Sequence, residues 1–433
     1  MDCFVVEGGR PLAGTVRAAG SKNAVLPLMA AALLPEGETR LERVPRVRDV
    51  TTLTELLRSL GASVESGVPG MLRIQAPAEG PTEAPYEVVR RMRASVCVLG
   101  PLLARRGRAR VSLPGGCVLG VRPIDLHLKG LAALGARIQV EHGTVAAEAP
   151  PGGLRGGRVF LSGPQGPSVL GTANVLMAAV LARGVSVLDG VALEPEVQAL
   201  ARFLTDCGAR IEGIGSPRLV VEGVEALEGR SVRVPPDRIE TGTLLLAGAL
   251  TGGRVRVEDC RPGELVALLD LLERAGVPLR TEEGPDGGGA VEVRPWERRP
   301  RALDVTTRPW PGFPTDLQAQ WMAFCTVCEG LALVTETVYP DRFLHVAELN
   351  RLGAAIRRSG PTAVVLGPAQ LSGAPVLASD LRASACLVLA GLAARGRTTV
   401  RRVYHLDRGY EDLDARLRGL GAEVRREPDP EAP

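Results

Sequence analysis

The sequence predicts an α/β fold of six repeated units, each with two helices and several strands, arranged as two lobes of three. Two observations carry this expectation. A short motif recurs as Leu60-Gly-Ala-Ser-Val64, Leu134-Gly-Ala-Arg-Ile138, Cys207-Gly-Ala-Arg-Ile211, Ala275-Gly-Val-Pro-Leu279, Leu352-Gly-Ala-Ala-Ile356 and Leu420-Gly-Ala-Glu-Val424. Its glycines fall at 61, 135, 208, 276, 353 and 421, a spacing of roughly seventy residues that marks a repeat. Each copy also has the same surroundings: an amphipathic helical pattern before it, and a strand-like run after it. Six such units are too many for one hydrophobic core in a chain of 433 residues.

Residues 1–20 precede the first unit and show a hairpin-like pattern at 3–7 and 14–18. Within the units, a strongly apolar helix is expected at 23–34, 94–104, 172–182, 242–249, 317–328 and 383–394. Apolar on most sides, these helices belong inside. A turn, usually with glycine, then leads to a strand at 39–43, 109–113, 185–188, 254–257, 332–335 and 398–403. The amphipathic helices, for example 50–60, 126–134 and 196–207, end at the motif glycine, which suits the C′ position. Further strands follow at 72–75, 218–222, 291–294 and 363–366. The joint between lobes is expected in the proline-bearing stretch 229–238, and residues 426–433, charged and proline-rich, read as a disordered tail.

Composition excludes several classes. Hydrophobic residues make up 45% and charged residues 23%, as in ordinary globular proteins, and the formal net charge of +3 argues for neither a nucleic-acid nor a membrane partner. The longest apolar runs fall short of the ~20 residues of a membrane span. The start of the chain lacks the pattern of a signal peptide, and eight scattered cysteines suit a reducing, cytoplasmic setting. The pair Cys325-Thr-Val-Cys328 lies in an apolar helix pattern without a second pair, so no metal site is expected. Only Lys22 and Lys129 among 52 basic residues are lysines, and asparagine occurs only at 23, 174 and 350. A lysine retained in so arginine-rich a chain points to a need for a compact charge.

One stretch concentrates reactive chemistry: Leu113-Pro-Gly-Gly-Cys-Val-Leu-Gly-Val-Arg-Pro-Ile-Asp-Leu-His127. Its three glycines read as a mobile loop. Cys117 stands amid Arg108, Arg110 and Arg122, cations that lower a thiol pKa from about 8.5. A harmless cysteine in a glycine-rich turn is the plainer alternative. His127, in the helix after the loop, reads either as a partner for Cys117 or as a surface residue. Polar segments also stand at the starts of the apolar helices, among them Gly20-Ser-Lys-Asn23, Arg91-Met-Arg-Ala-Ser95, Gly166-Pro-Ser168, Pro236-Asp-Arg-Ile-Glu240, Pro314-Thr-Asp316 and Ser379-Asp-Leu-Arg382. Capping explains their hydroxyls and aspartates. It explains less well the cations Lys22, Arg93, Arg238 and Arg382, which oppose the helix dipole and suit an anionic ligand.

These segments, with Leu99-Gly-Pro-Leu-Leu-Ala-Arg105, Gly116-Cys-x-x-Gly-x-Arg-Pro-x-Asp-Leu-His127, Pro311-Gly-Phe-Pro-Thr-Asp-Leu-Gln-Ala-Gln320, Arg342-Phe-x-His345 and Asp407-Arg-Gly-Tyr-Glu411, resemble the enolpyruvyl transferase family in its UDP-N-acetylglucosamine branch. The resemblance runs from residue 1 to about 424. It implies a two-lobed inside-out α/β barrel of six βαβαββ-type units, with 22–231 as the first lobe, carrying the Cys117 loop. The second lobe would comprise 1–21, an N-terminal hairpin, and 232–425. It implies transfer of the enolpyruvyl group of phosphoenolpyruvate to the 3′-hydroxyl of UDP-N-acetylglucosamine, the first committed step of peptidoglycan precursor synthesis in the cytoplasm. Both partners are small molecules, no cofactor is needed, and the chain is expected to act as a monomer. By the same resemblance Cys117 donates a proton, can carry a covalent phosphoenolpyruvate adduct and is the target of fosfomycin. Asp316 accepts the hydroxyl proton, and Lys22, Arg122 and Arg408 clamp phosphoenolpyruvate. Asn23, Arg93, Arg122, Pro123, Ile124, Asp125, Leu126, Ser168, Val169, Asp316 and Val338 line the sugar-nucleotide site, with Arg382 in an anion-holding role.

Two positions depart from the family pattern: Pro340 stands where a glutamate is usual, and Leu170-Gly171 follows Ser168-Val169 in place of Gly-Ala. They bear on substrate contacts rather than on the reaction. The alternatives are a transferase making 5-enolpyruvylshikimate 3-phosphate and a non-catalytic paralogue that binds a nucleotide sugar.

Overall fold

In the computed structural model, which describes residues 2–113 and 124–429, each of the six repeat glycines ends a helix with positive φ. The angles are 85° at Gly61, 89° at Gly135, 107° at Gly208, 95° at Gly276 and Gly353, and 85° at Gly421. Glycine carries no Cβ penalty there, which is why this residue marks the repeat. The residue after each glycine donates back to a leucine carbonyl five positions earlier, from Ala62 to Leu57 and likewise to Leu131, Leu204, Leu272, Leu349 and Leu417. All six leucines are fully buried, so one turn closes the helix and anchors it in the core.

Among the described residues there are six four-stranded sheets and one two-stranded pair. Each four-stranded sheet has the same order: a parallel edge strand, a second strand, and two further strands joined antiparallel. The chain divides into two units, residues 2–19 with 236–429, and residues 20–235. Three sheets lie in each. In the unit of 20–235 the inner helices are Lys22–Ala31, Leu99–Arg106 and Val169–Ala179, the last packed against both others. In the other unit Arg238–Thr251, Gln318–Val327 and Leu381–Ala393 pack on one another. In Arg238–Thr251 every residue except Thr251 is buried. Each fully buried Leu or Val in these helices contributes ~1.5–3 kcal/mol, which explains their lack of a polar face.

Several expectations need correction. The two N-terminal strands do not form a hairpin. Asp2–Glu7 lies between Arg397–Arg401 and Glu423–Pro428, whereas Ala13–Arg17 pairs in parallel with Arg254–Cys260. Each fills a place in a different sheet, and Leu12, buried between them in sequence, donates its N–H to Thr251. The second lobe does not begin at 232. Ser231–Arg233 forms the parallel edge beside Thr39–Glu42, so the chain leaves that unit after Pro235.

Nor is the tail disordered from 426. Residues through Pro428 continue a strand on Asp2–Glu7, with Arg426 ion-paired to Asp2 at 2.6 Å and to Asp407 at 2.7 Å. Residues 430–433 lie outside the described residues. The helix expected at 94–104 is a 3₁₀ segment, Arg93–Val98, followed by the α-helix Leu99–Arg106. Pro101 lacks an N–H and would crowd the carbonyl of Cys97, which opposes a continuous α-helix there.

Candidate active site

The starts of the inner helices are organised by capping. Ser21 accepts from Ala24 at 3.2 Å, and Ser168 from Gly171 at 3.1 Å. Asp237 accepts from Ile239 and Glu240, and Asp380 from Arg382 and Ala383, at 2.8–3.1 Å. Capping therefore accounts for these four side chains. At Gly171 an added Cβ would come within 2.8 Å of the Ser168 hydroxyl, so the glycine that departs from the family pattern leaves this cap room.

The cations at these ends form separate structures. In the unit of 236–429, Asp316 sits on the 3₁₀ turn Thr315–Leu317 that enters the helix Gln318–Val327. One carboxylate oxygen accepts from Arg342 at 2.8 Å and the other from Arg382 at 2.7 Å. Both guanidinium groups are buried. Desolvation raises the Asp316 pKa, but the charges and hydrogen bonds of Arg382 and Arg342 outweigh it and hold the carboxyl well below the usual range. Arg342 also donates to Thr315 at 3.0 Å, and Thr315 to Glu336 at 2.8 Å. The other Glu336 oxygen accepts from Thr307 and from the N–H groups of Val338 and Tyr339, fixing the turn that carries Val338 and Pro340.

In the unit of 20–235 an ion pair and an uncharged network are seen. Lys22 pairs with the buried carboxylate of Asp49 at 3.0 Å. Deeper in, Asn174 accepts from the Gly100 N–H at 2.6 Å and donates to the Val96 carbonyl at 2.8 Å. Its amide nitrogen also lies 3.0 Å from Nδ1 of His127. Desolvation, aided by Arg93, pushes the His127 pKa down to about 3. The ring is therefore neutral, and an unprotonated Nδ1 accepts from Asn174. His127 is thus a buried anchor for the helix Asp125–Ala133, not a surface residue.

The structure brings Asp316 and Arg382 into direct contact and sets Arg93 near His127. Asn23, Ser168 and Val169 stand at or beside the starts of inner helices, and Arg408 ends the 3₁₀ segment Val403–Arg408. Ile124 is buried, Leu126 is half-buried and Asp125 is exposed. Cys117, Arg122 and Pro123 lie outside the described residues. Reasoning from sequence missed Arg342, although it stands in a quoted motif. It also missed Asp49, Asn174, Gln320 and Tyr410: Gln320 and Tyr410 stand in quoted motifs, Asn174 carried its rarity as a signal, and Asp49 carried none. The seven other cysteines are all buried, and desolvation raises the thiols of Cys97 and Cys325 to about 12.

The profile of the EPSP synthase (3-phosphoshikimate 1-carboxyvinyltransferase) family matches residues 6–417. The chain belongs to the EPSP synthase family. It is 54% identical over 429 residues to the UDP-N-acetylglucosamine 1-carboxyvinyltransferase of Anaeromyxobacter sp. (strain Fw109-5), covering 99% of this chain and all of that protein. It is 50% identical over 435 residues to the protein of the same name from Xylella fastidiosa (strain 9a5c), covering 98% of this chain and all of that protein. Among solved structures, the enolpyruvyl transferase NikO from Streptomyces tendae aligns with a TM-score of 0.87 at 29% identity over 99% of both chains. Every candidate residue from Lys22 to Arg408 lies inside the span matched to the EPSP synthase family.

Proposed function

We infer that this chain transfers the enolpyruvyl group of phosphoenolpyruvate to the 3′-hydroxyl of UDP-N-acetylglucosamine with release of phosphate, the first committed step of peptidoglycan precursor synthesis. The observation that carries the reading is the identity of 50–54%, over nearly the whole chain, to relatives named for that reaction. The reaction is an addition followed by an elimination. The sugar oxygen bonds to C2 of phosphoenolpyruvate while a proton reaches its methylene carbon, giving a tetrahedral intermediate. Loss of phosphate and of a proton from the new methyl group restores the double bond.

In this reading Cys117 supplies the proton to carbon and Asp316 takes the proton of the 3′-hydroxyl. Lys22, Arg122 and Arg408 hold phosphoenolpyruvate, and Asn23, Arg93, 122–126, Ser168, Val169 and Val338 line the nucleotide-sugar site. A carboxylate bonded by two guanidinium groups is a weak base. Asp316 therefore works only when a substrate anion draws off part of the Arg342 or Arg382 charge, which ties proton removal to occupancy of the site. The six sheets of one order, three in each unit around apolar helices, support the two-lobed inside-out barrel as the finer architecture. In this reading the chain acts on small molecules in the cytoplasm; among the described residues no helix is long and apolar enough to cross a membrane.

The family profile is named for the shikimate reaction, so that acceptor is the second reading. Phosphate release separates the two. Mixing the protein and phosphoenolpyruvate with UDP-N-acetylglucosamine should release phosphate, and shikimate 3-phosphate should not. The reverse result would transfer the reading to the shikimate branch, and release with neither would leave a binding protein.

A further inference from the structure

Tyr410 is two residues beyond Arg408 and buried, and none of the roles above uses it. Its hydroxyl lies 3.0 Å from the Thr243 hydroxyl and receives the Gln320 amide N–H at 3.2 Å. Thr243 gives its own proton to the Ile239 carbonyl at 2.8 Å, so Tyr410 is the donor in their shared bond. The same Gln320 nitrogen lies 3.1 Å from Thr243 and 3.1 Å from the carbonyl of Asp316. Gln320 Oε1, by contrast, is buried without a hydrogen-bond partner among the described residues. The amide is thus oriented for what its nitrogen can hold: the tyrosine hydroxyl and the backbone of Asp316. Over the face of the Tyr410 ring stands the guanidinium of Arg382, 5.3 Å from the centroid, and that guanidinium binds the Asp316 carboxylate.

One phenol therefore ties together the starts of three helices, through Thr243, Gln320 and Arg382, and the segment that carries Arg408. We propose that Tyr410 is a positioning residue: its ring backs Arg382 and its hydroxyl is pinned by Thr243 and Gln320, and together these set where Arg382 meets Asp316. The proposal rests on the reading of Asp316 as proton acceptor. With the hydroxyl gone, the ring rocks, Arg382 loses its fixed backing, and the Asp316 carboxylate is held less firmly. Arg342 and Arg382 act on that carboxylate directly. Asp237 faces Arg382 and Tyr410, Asp380 faces Arg342 and His345, and Glu336 reaches the cluster through Thr315. None of these is altered by replacing Tyr410, so a change in the acid limb of activity reports on the Arg382–Asp316 pair. Because Arg382 lowers the Asp316 pKa, a loosened pair moves that limb to higher pH.

The test measures kcat, KM for UDP-N-acetylglucosamine and thermal unfolding across pH for Tyr410→Phe, Tyr410→Leu, Gln320→Met and Asp316→Asn. Tyr410→Phe keeps the ring and should keep the fold, yet lose about tenfold in kcat with KM within about twofold, its acid limb shifted upward. Gln320→Met should show the same signature. Tyr410→Leu should lose more, and if it fails to fold the other two variants carry the test. Parental kcat and acid limb in Tyr410→Phe, even with a lowered melting temperature, would make Tyr410 a packing residue and overturn the proposal. Parental turnover in Asp316→Asn would overturn the acceptor reading itself. An inactive Asp316→Asn beside a parental Tyr410→Phe would remove the positioning claim alone.

Discussion

Around Asp316 in the unit of 236–429, a carboxylate stands between two buried guanidinium groups. Around Asn174 in the unit of 20–235, a neutral amide meets a backbone N–H, a carbonyl and a neutral imidazole. Both clusters hold the starts of apolar helices. The first is bound by charge, so an anion that competed for the arginines would loosen it. The hydrogen bonds of the second run between uncharged groups, so it serves as a fixed mount. In the proposed reaction, that difference would separate a part that responds to substrate from a part that stays still.

The largest effect should come from Asp316→Ala. It removes the carboxylate shared by two buried guanidinium groups, and breaking such an arrangement costs about 3–5 kcal/mol. Transfer should be lost as well. The sign with pH is fixed by the depressed folded pKa: the stabilisation is present above the ordinary carboxylate value near ~3.9 and is lost as pH falls through the lower folded value. Urea melts of parent and variant between pH 3 and 8 should differ by a constant amount above about pH 4 and begin to draw together as pH falls towards 3. A difference that stayed constant over the whole range would show that charge is not what holds this cluster.

Glu240 sharpens the contrast from the opposite direction. It accepts from the Ala19 N–H at 2.8 Å, and desolvation, outweighing Arg416, raises its pKa from 4.5 to about 7. The folded state binds more protons there than the unfolded state between those values, so stability falls as pH rises from about 4.5 to about 7. Glu240→Gln should remove that slope, a gain of at most on the order of 3 kcal/mol above pH 7. An unchanged slope in the variant would place the titration elsewhere.

Asn174→Leu should cost about 2 kcal/mol by leaving buried groups unpaired, and the cost should be the same from pH 5 to 8. A cost that varied with pH would mean His127 is not held neutral. Smallest is Gly135→Ala. An added Cβ there meets only Pro150 at 3.5 Å, so the strain of φ 89° is the main penalty, about 1 kcal/mol by calorimetry. A neutral result would mean the helix end relaxes.

The charged cluster was easier to read in advance than the neutral one. Arg382 is a cation at a helix start, which plain capping does not explain, and Asp316 stands in the segment 311–320 that carries the family resemblance; both signals are visible in one dimension. His127 and Asn174 are 47 positions apart, and periodicity places neither the depth of a ring nor its partner. The six motif glycines announced their helix ends because positive φ restricts residue type. Strands 2–7 and 13–17 misled because alternation gives the face of a strand but not its sheet. Arg426 and its neighbours read as tail because composition shows their charge but not Asp2 and Asp407, the distant partners that hold Arg426.

The most direct test of the central claim is the chemical identity of the product. Phosphoenolpyruvate and UDP-N-acetylglucosamine are incubated with the parent protein and with Cys117→Ala, and the sugar nucleotide is examined by mass spectrometry and nuclear magnetic resonance. The account predicts one enolpyruvyl ether on the 3′-oxygen for each phosphate released by the parent, and none with the variant. Unmodified sugar nucleotide with the parent, or equal product from Cys117→Ala, would contradict it.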